Sequence, residues 1–429
     1  MKKKLNIAII GLGNIGSYLY KFLKENQKIL SKKNNCIPNI IYISSKNIKK
    51  KRSIKVDKKK WLKNYLDATT DKNVDIIVEL IGGAEGAAKK LVFNALKNKK
   101  HVVTANKALI AKYGDKLSKI AEENKVNLEF EAAVCGGVPI IRSIKEGLIA
   151  NKINKVYGIF NGTSNYILST MDSDNKNFKD VLFDAQNKGY AESNPKSDLN
   201  GEDVASKLKI LSSLCFNSLI NHKIHVEGIN NIDKYDIDSA NRLGYKIKLI
   251  GFSEIIGNQI YQRVHPALIN KSSYIASIDG VLNAVIVEGR PVGQNVIQGE
   301  GAGPEATTSA LVSDISSILR GNIKFPFSIS NRERKKLTYK SIDDRFFSAY
   351  LRFEVKDRPG VLSNITNIFS KNKVSIKRLI QNTNKTTKHA SIIIITHNSK
   401  DKSLNKILKE VEKKSYIIKL PKLIRIGTN

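Results

Sequence analysis

The sequence predicts an α/β protein: a parallel, doubly wound sheet, then an α+β region, then a small ferredoxin-like unit. Three observations carry this. An apolar run from Leu5 to Ile10 leads at once into Gly11-Leu12-Gly13-Asn14-Ile15-Gly16 and then a helical pattern at Leu19, Phe22 and Leu23. Strand and helix patterns then alternate with short loops as far as Phe130. After a basic stretch at 321–345, strand runs at 350–355, 391–396 and 424–426 and helices at 361–371 and 403–413 fit a βαββαβ order.

Taken in order, the first strand, glycine turn and helix form the context that a dinucleotide fingerprint requires. Gly11 makes the turn, Gly13 lets backbone approach a pyrophosphate, and Gly16 lets helix pack on strand. A second strand at 39–43 ends in Ser44-Ser45-Lys46, with no carboxylate to hold a ribose 2′-hydroxyl. Hydroxyls and a lysine suit a 2′-phosphate, so Ser44 and Lys46 favour NADP(H) over NAD(H). Residues 47–70 read as basic and irregular, with a short helix around 61–66. Residues 74–80 form the next strand, ending at Ile81-Gly82-Gly83 before a helix over 84–98. Residues 101–104 form another, followed by Ala105-Asn106-Lys107 and a helix to about 124. The loops carrying Gly82, Thr104 and Lys107 therefore lie at the carboxyl edge, where a cofactor binds. By position alone Lys107 reads as a solvated lysine at a helix start.

Glu131-Ala132-Ala133-Val134-Cys135-Gly136-Gly137-Val138-Pro139 is a turn of small residues. It could aim backbone carbonyls inward, which with Glu131 suits a hard monovalent cation. Spacing alone favours a tight domain crossover. From 140 to 300 the alternation lapses. A strand at 155–160 ends in Asn161-Gly162-Thr163-Ser164-Asn165, and helices follow at 166–171 and 178–189. Strand runs at 247–256, 259–264 and 283–288 suggest an antiparallel sheet whose edges suit a dimer. A glycine turn at 299–304 precedes a helix at 306–319 that returns to the first domain.

The stretch 189–207 concentrates the polar chemistry. Its first half is loop, because Pro195 and its Gly, Ser and Asn neighbours oppose regular structure. Its second half is helical, with Asp198 or Asn200 as N-cap and an apolar stripe at Val204, Leu208 and Leu211. Asp203 and Lys207 lie four apart and meet on one face. Glu192 and Asp198 arrive from the loop. Alone, such a pair is more often a weak surface ion pair than a site.

Composition bounds the rest. The 429 residues are 41% hydrophobic and 26% charged, which is globular and long enough for two or three domains. The net charge of +34 raises a nucleic-acid reading. The lysines are spread everywhere, as in Lys49-Lys50-Lys51-Arg52 and Lys58-Lys59-Lys60, with no interleaved aromatics. Compositional bias accounts for that, and no nucleic-acid partner is expected. Three separated cysteines and six histidines without paired motifs give no disulfide, zinc or redox signature. The opening Met1-Lys2-Lys3-Lys4 superficially suggests a signal peptide. Asn6 and the glycine motif argue against it, and no run nears the ~18 apolar residues of a membrane span. The expectation is a cytoplasmic protein that does not meet the membrane.

Together these motifs resemble bacterial homoserine dehydrogenase over essentially the whole chain. The resemblance rests on Gly11-Leu12-Gly13-Asn14-Ile15-Gly16, Thr104-Ala105-Asn106-Lys107-Ala108-Leu109, Glu131-Ala132-Ala133-Val134, Asn161-Gly162-Thr163-Ser164-Asn165-Tyr166-Ile167, Gly189-Tyr190-Ala191-Glu192 and the run from Asp198 to Lys207. The tail, with Asp357-Arg358-Pro359-Gly360-Val361-Leu362, resembles an ACT amino-acid-sensing domain. The resemblance implies reversible NAD(P)-dependent interconversion of L-homoserine and L-aspartate 4-semialdehyde. It implies Lys207 as proton donor, with Asp203 and Lys107 beside the reaction, and Glu192 and Asp203 as substrate carboxylates. Asp198, Gly162, Thr163 and Tyr190 would complete the substrate site. Cofactor contacts would come from Gly11 to Gly16, Ser44, Lys46, Gly82, Thr104, Lys107 and Gly303. A sodium or potassium site would use Glu131, Val134, Gly136 and Val138.

Asn194, Gly86 and Ala306 depart from the usual Asp, Pro and Pro. The expected domains are a Rossmann-type unit (1–134), a catalytic and dimerisation unit (135–320), a linker (321–345) and an ACT unit (346–429). Threonine feedback near 357–362, a homodimer or homotetramer, and a single-function chain with no preceding kinase domain complete the expectation. A catalytically idle amino-acid sensor and an oxidoreductase of another amino-acid pathway are the competing readings.

Overall fold

The computed structural model describes residues 2–52, 54–384 and 388–428. Strands β1 (Lys3–Ile10), β2 (Cys36–Ser44), β3 (Ile76–Glu79), β4 (His101–Thr104) and β5 (Leu128–Glu129) form a parallel sheet in the order β2-β1-β3-β4-β5. Ile7, Ala8 and Ile9 of β1 are fully buried, as a central strand covered on both faces must be. The covering helices include α1 (Asn14–Glu25), α2 (Ala87–Lys97) and α3 (Lys107–Glu123). Gly16 sits where a Cβ would lie 2.1 Å from the Gly11 carbonyl oxygen, so the fingerprint's third glycine is required by packing.

The second region is a sheet with helices on one face. Its helices are α4 (Gly162–Ser173), α5 (Glu202–Cys215) and α6 (Lys234–Arg242). Its strands are β6 (Lys152–Ile159), β7 (Tyr245–Ile256), β8 (Gln259–Asn270), β9 (Leu282–Arg290) and β10 (Gly293–Glu300), in the order β10-β9-β6-β7-β8. Val204, Leu208 and Leu211 of α5 are fully buried, as their spacing predicts. Helix α7 (Pro304–Leu319) then returns to the first sheet, where Leu311 and Ile315 share a core with Ile7 and Ile9.

The tail comprises β11 (Phe346–Lys356), α8 (Val361–Lys371), β12 (Ile376–Asn384), β13 (His389–Thr396), α9 (Asp401–Glu412) and β14 (Lys422–Ile426). Its sheet runs β14-β11-β13-β12, the ferredoxin-like arrangement. It is not a separate layer. β14 pairs in parallel with β8, Ala267 against Arg425 and Leu268 against Ile426, so the second and third regions share one continuous sheet.

Three expectations need correction. Residues 61–66 are not helical. Single helical turns lie on either side, at Lys58–Lys60 and Asp67–Thr70, and Trp61 bridges to Ile43 beside β2. The Leu62 N–H donates to the Ile43 carbonyl at 2.9 Å, so the β2 edge claims this segment. Helix α5 begins after Gly201 in the left-handed conformation (φ 85°), not after Asp198 or Asn200. Asp198 lies within a preceding turn, Lys196–Leu199, and Asn200 Oδ1 accepts the Glu202 N–H. The run 259–264 continues to Asn270, opposite Tyr245.

Residues 321–345, read as a polar linker, are held closely. The buried Arg334 donates to Asp115 at 2.6 Å and to the Ser218 carbonyl at 2.8 Å, with its guanidinium 4.2 Å from the Phe327 ring. It therefore fastens this stretch to both preceding regions. Arg334→Ala should lower the free energy of unfolding by about 2–4 kcal/mol, since it strips a buried carbonyl and a carboxylate of their donor. Denaturant unfolding of the full chain measures this, and a change near zero would mean the stretch is only tethered at its ends.

Candidate active site

The site is built where the carboxyl edge of the first sheet faces the start of α5. Asp203 is its centre. Its carboxylate is buried and lies 2.6 Å from Lys107 Nζ and 2.8 Å from Lys207 Nζ. Lys107 is the first residue of α3 and Lys207 is one turn along α5 from Asp203, so the two ammoniums come from different domains. Lys207 is buried and also donates to the Phe160 carbonyl at 2.7 Å. Burial would push the Asp203 carboxyl up, but Lys207 and Lys107 outweigh that and hold it well below the usual carboxylate range. Burial would likewise lower the Lys207 ammonium, and Asp203 outweighs it, so the ammonium is raised.

Asn161 organises the polar floor. It follows β6 and caps α4, its Oδ1 accepting the Ser164 N–H at 2.7 Å. Its Nδ2 donates to Asp198 Oδ1 and Asp203 Oδ2, both at 2.8 Å. Burial, then the nearby Asp203, raise the Asp198 carboxyl. Thr163 donates to the Tyr190 carbonyl at 2.6 Å and so anchors the loop that follows.

A cleft of about 620 Å³ opens above these groups. Its lining brings together Lys107, Asn161, Gly162, Thr163, Tyr190, Glu192, Asp198, Asp203 and Lys207 with Ile15, Gly136 and Gly303. Glu192 is exposed at the rim, apart from the buried carboxylate cluster. Lys188 also lines the cleft and donates to the Tyr166 hydroxyl at 3.0 Å. Sequence reading passed over both Lys188 and the role of Asn161. Asn194 is exposed and does not line the cleft. Its Oδ1 accepts the Lys196 N–H within its own turn, so the substitution leaves the carboxylate cluster untouched.

On the dinucleotide side, Gly13 precedes α1 with no side-chain cap, and space is open around its Cα. That leaves helix N–H groups free for an anion. Thr104 is not free: its hydroxyl donates to the buried Glu79 at 2.5 Å, and Glu79 accepts the Ile81 and Gly82 N–H groups. Thr104 and Gly82 thus shape the cofactor-side loop. Ser44 is buried, and its carbonyl accepts the Gly11 N–H at 2.9 Å. Lys46 is exposed and absent from the adjoining cleft, which Lys50, Lys51 and Arg52 line with Leu12, Gly13 and Tyr18. Arg52 donates to Ser45 Oγ at 2.8 Å and to the Leu12 carbonyl at 3.1 Å. The stretch dismissed as irregular supplies the organised cation here.

Glu131 is buried, and its two oxygens accept the Ile141 and Arg142 N–H groups at 2.8 and 2.7 Å. Burial pushes it up to about 7 despite those bonds. Cys135 and Gly136 have positive φ (56° and 52°), so the chain reverses tightly here, and the Val138 carbonyl accepts the Ile140 N–H. The available donors, one carboxylate and backbone carbonyls, are hard oxygens.

Residues 11–131 match the homoserine dehydrogenase NAD-binding domain, 139–316 match homoserine dehydrogenase, and 349–415 match the ACT domain. A homoserine dehydrogenase from Helicobacter pylori is 39% identical, covering 99% of this chain and 100% of its own. One from Neisseria gonorrhoeae is 38% identical, with 99% of both chains covered. A crystal structure of the Thiobacillus denitrificans enzyme superposes with a TM-score of 0.91 at 36% identity, covering 99% of this chain and 98% of that one. The Rossmann-like sheet, the mixed-sheet catalytic region and the C-terminal ACT domain all correspond, and the chain belongs to the homoserine dehydrogenase family.

Proposed function

We propose that this cleft interconverts L-aspartate 4-semialdehyde and L-homoserine with a nicotinamide cofactor. The observation that carries the reading is the buried Lys207 ammonium, held by Asp203 and the Phe160 carbonyl at the cleft floor. An ammonium has three N–H donors. Two are committed to these partners, and the third is available to a substrate oxygen. A dihydronicotinamide held on the dinucleotide side would supply the hydride. As the aldehyde carbon gains it, the carbonyl π pair moves to oxygen, and Lys207 stabilises that oxygen and gives it a proton. Asp203 keeps Lys207 charged and aimed. Lys107, held by the same carboxylate, adds positive potential from the cofactor side. Glu192 at the rim is suited to the substrate α-ammonium, and Asp198 with Asn161 to its polar groups.

The organised guanidinium of Arg52 beside Ser45 supports a preference for NADP(H), carried by Arg52 rather than Lys46. The bare start of α1 at Gly13 suits the pyrophosphate. Glu131, with the carbonyls of Val134, Gly136 and Val138, is suited to a sodium or potassium ion. In the ACT domain a cleft of about 390 Å³, lined by Asp357, Gly360, Leu362 and Gln381 at the start of α8, is suited to a small amino acid, with threonine as the effector we propose.

Lys207→Ala should lower kcat by at least about 100-fold while NADPH affinity stays nearly unchanged. Comparable turnover in that variant refutes the assignment. The raised Lys207 ammonium also sets a pH asymmetry. Semialdehyde reduction needs the charged form, which dominates below its pKa. Homoserine oxidation needs the neutral amine, whose fraction grows about tenfold per pH unit on approaching that pKa. Oxidation should therefore rise through the alkaline range while reduction stays flat, and initial rates in both directions across pH measure it. Finally, Arg52→Ala should raise KM for NADPH about tenfold and leave KM for NADH within about twofold, the loss of one charge-assisted phosphate contact.

A further inference from the structure

Every ionic contact that the catalytic region makes with the ACT strands β11 and β14 through residues 227–236 has the same polarity. The carboxylates are on the catalytic side and the cations on the ACT side. Arg425 of β14 donates to both oxygens of Glu227 at 2.9 Å, while its other face grips the ACT domain's own Asp401. Arg352 of β11 donates to both oxygens of Asp233, at 3.0 and 2.6 Å. Lys422 of β14 bridges Asp233 and Asp236, at 2.6 and 2.8 Å. Arg425 and Arg352 are buried, so these are not the loose pairs of a solvated surface. Asp233 and Asp236 also form the capping box that starts α6.

Glu227 and Asp233 are the two ends of one short segment. The ACT domain therefore clamps the segment 227–233 at both ends. Its middle faces the other way. The Ile229 N–H donates to the Leu199 carbonyl at 2.8 Å, and Ile229 is fully buried. Gly228 lies so close to the same turn that a Cβ would sit 2.2 Å from the Leu199 oxygen and 2.5 Å from Asn200 Cα. Leu199 directly follows Asp198, and Asn200 and Gly201 lead into α5 with Asp203 and Lys207. The strap thus lies between the ACT cations and the backbone that carries the carboxylates of the site. Glu227 is outside the cleft; its carboxylate also meets His225 at 2.7 Å, and its N–H donates to the Val264 carbonyl of β8 at 2.8 Å.

We propose that the strap 227–233 is the element through which the ACT domain sets the position of the substrate turn at 198–203. Glu227 and Lys422 are then positioning residues for the reaction, remote from the reacting atoms. A shift of β14 relative to β8 would move both ends of the strap together, and close backbone packing at Gly228 would pass the shift to Leu199. The proposal rests on reading 198–207 as the substrate site. Survival of turnover in Lys207→Ala sinks that reading independently of the strap.

The test is steady-state kinetics on the full chain with Glu227→Gln, Lys422→Met and the double variant. Each single variant should raise KM for homoserine about fivefold, within the usual range of coupling between sites. Both kcat and KM for the nicotinamide cofactor should stay within about twofold, because the chemistry and the dinucleotide domain are untouched. The double variant should fall short of the product of the two effects, since both act on one strap. Lys422 is partly exposed and at the opposite end from Glu227, so it carries the test if Glu227→Gln does not fold. An unchanged homoserine KM in folded variants overturns the proposal. So does a parallel loss in kcat and both KM values with a lowered melting temperature, which is the signature of a merely structural contact.

Discussion

The Asp203 carboxylate, held between two ammoniums, is the interaction on which the site depends. A buried carboxylate without a partner costs several kcal/mol, and so does a buried ammonium. Asp203 and Lys207 can be buried together because each neutralises the other and because Asn161 and the Phe160 carbonyl complete their hydrogen bonds. The third member, Lys107, belongs to the dinucleotide domain and remains partly exposed at the cleft. The same carboxylate therefore does two things. It keeps Lys207 charged, and it ties the first turn of α3 to the first turn of α5. The dinucleotide domain and the start of α5 are registered to each other by a single ion triad.

That registration explains why so much of the surrounding polar structure faces inward. Glu79 fixes Thr104 and the loop at 81–82, and Asn106 caps α3 through the Leu109 N–H while donating to the Gly83 carbonyl. These bonds fix the point from which Lys107 starts. On the other side, Asn161 caps α4 and holds Asp198 and Asp203 in one plane of contacts. Lys107 reaches Asp203 from the capped start of α3, and Lys207 reaches it from one turn into α5. The fold itself holds these groups in place, the arrangement that electrostatic stabilisation of a reaction would require.

What could be read from the chain was what lies close together in it. The fingerprint from Gly11 to Gly16 needs only a strand before it and a helix after it, and the Asp203–Lys207 spacing is one helical turn. The parts not legible involve distant partners or weak local patterns. Arg52 reaches back to Ser45 and Leu12 from a segment with no periodicity, so nothing local marks it. Ile376–Asn384, whose sequence is IKRLIQNTN, lacks the clean apolar–polar alternation that marks a strand. The β14-β11-β13-β12 order needs it as an edge. The pairing of Arg425 with Glu227 spans almost half the chain, and nothing in either neighbourhood announces it.

The join between the ACT domain and the catalytic region is therefore not that of a detachable sensor. β8 gives its edge to β14, and the Gly427 N–H closes onto the Leu268 carbonyl at 2.8 Å. A chain lacking β14 would present that edge to solvent as an unpaired template. It would also leave Glu227 without Arg425, and Asp233 and Asp236 without Lys422, so uncompensated negative charge would stand at both ends of the strap 227–233. The arrangement makes the ACT domain a structural counter-charge to the catalytic region. Any ligand that moves this domain must act against those pairs, and the first backbone it would displace is the one beneath Asp198.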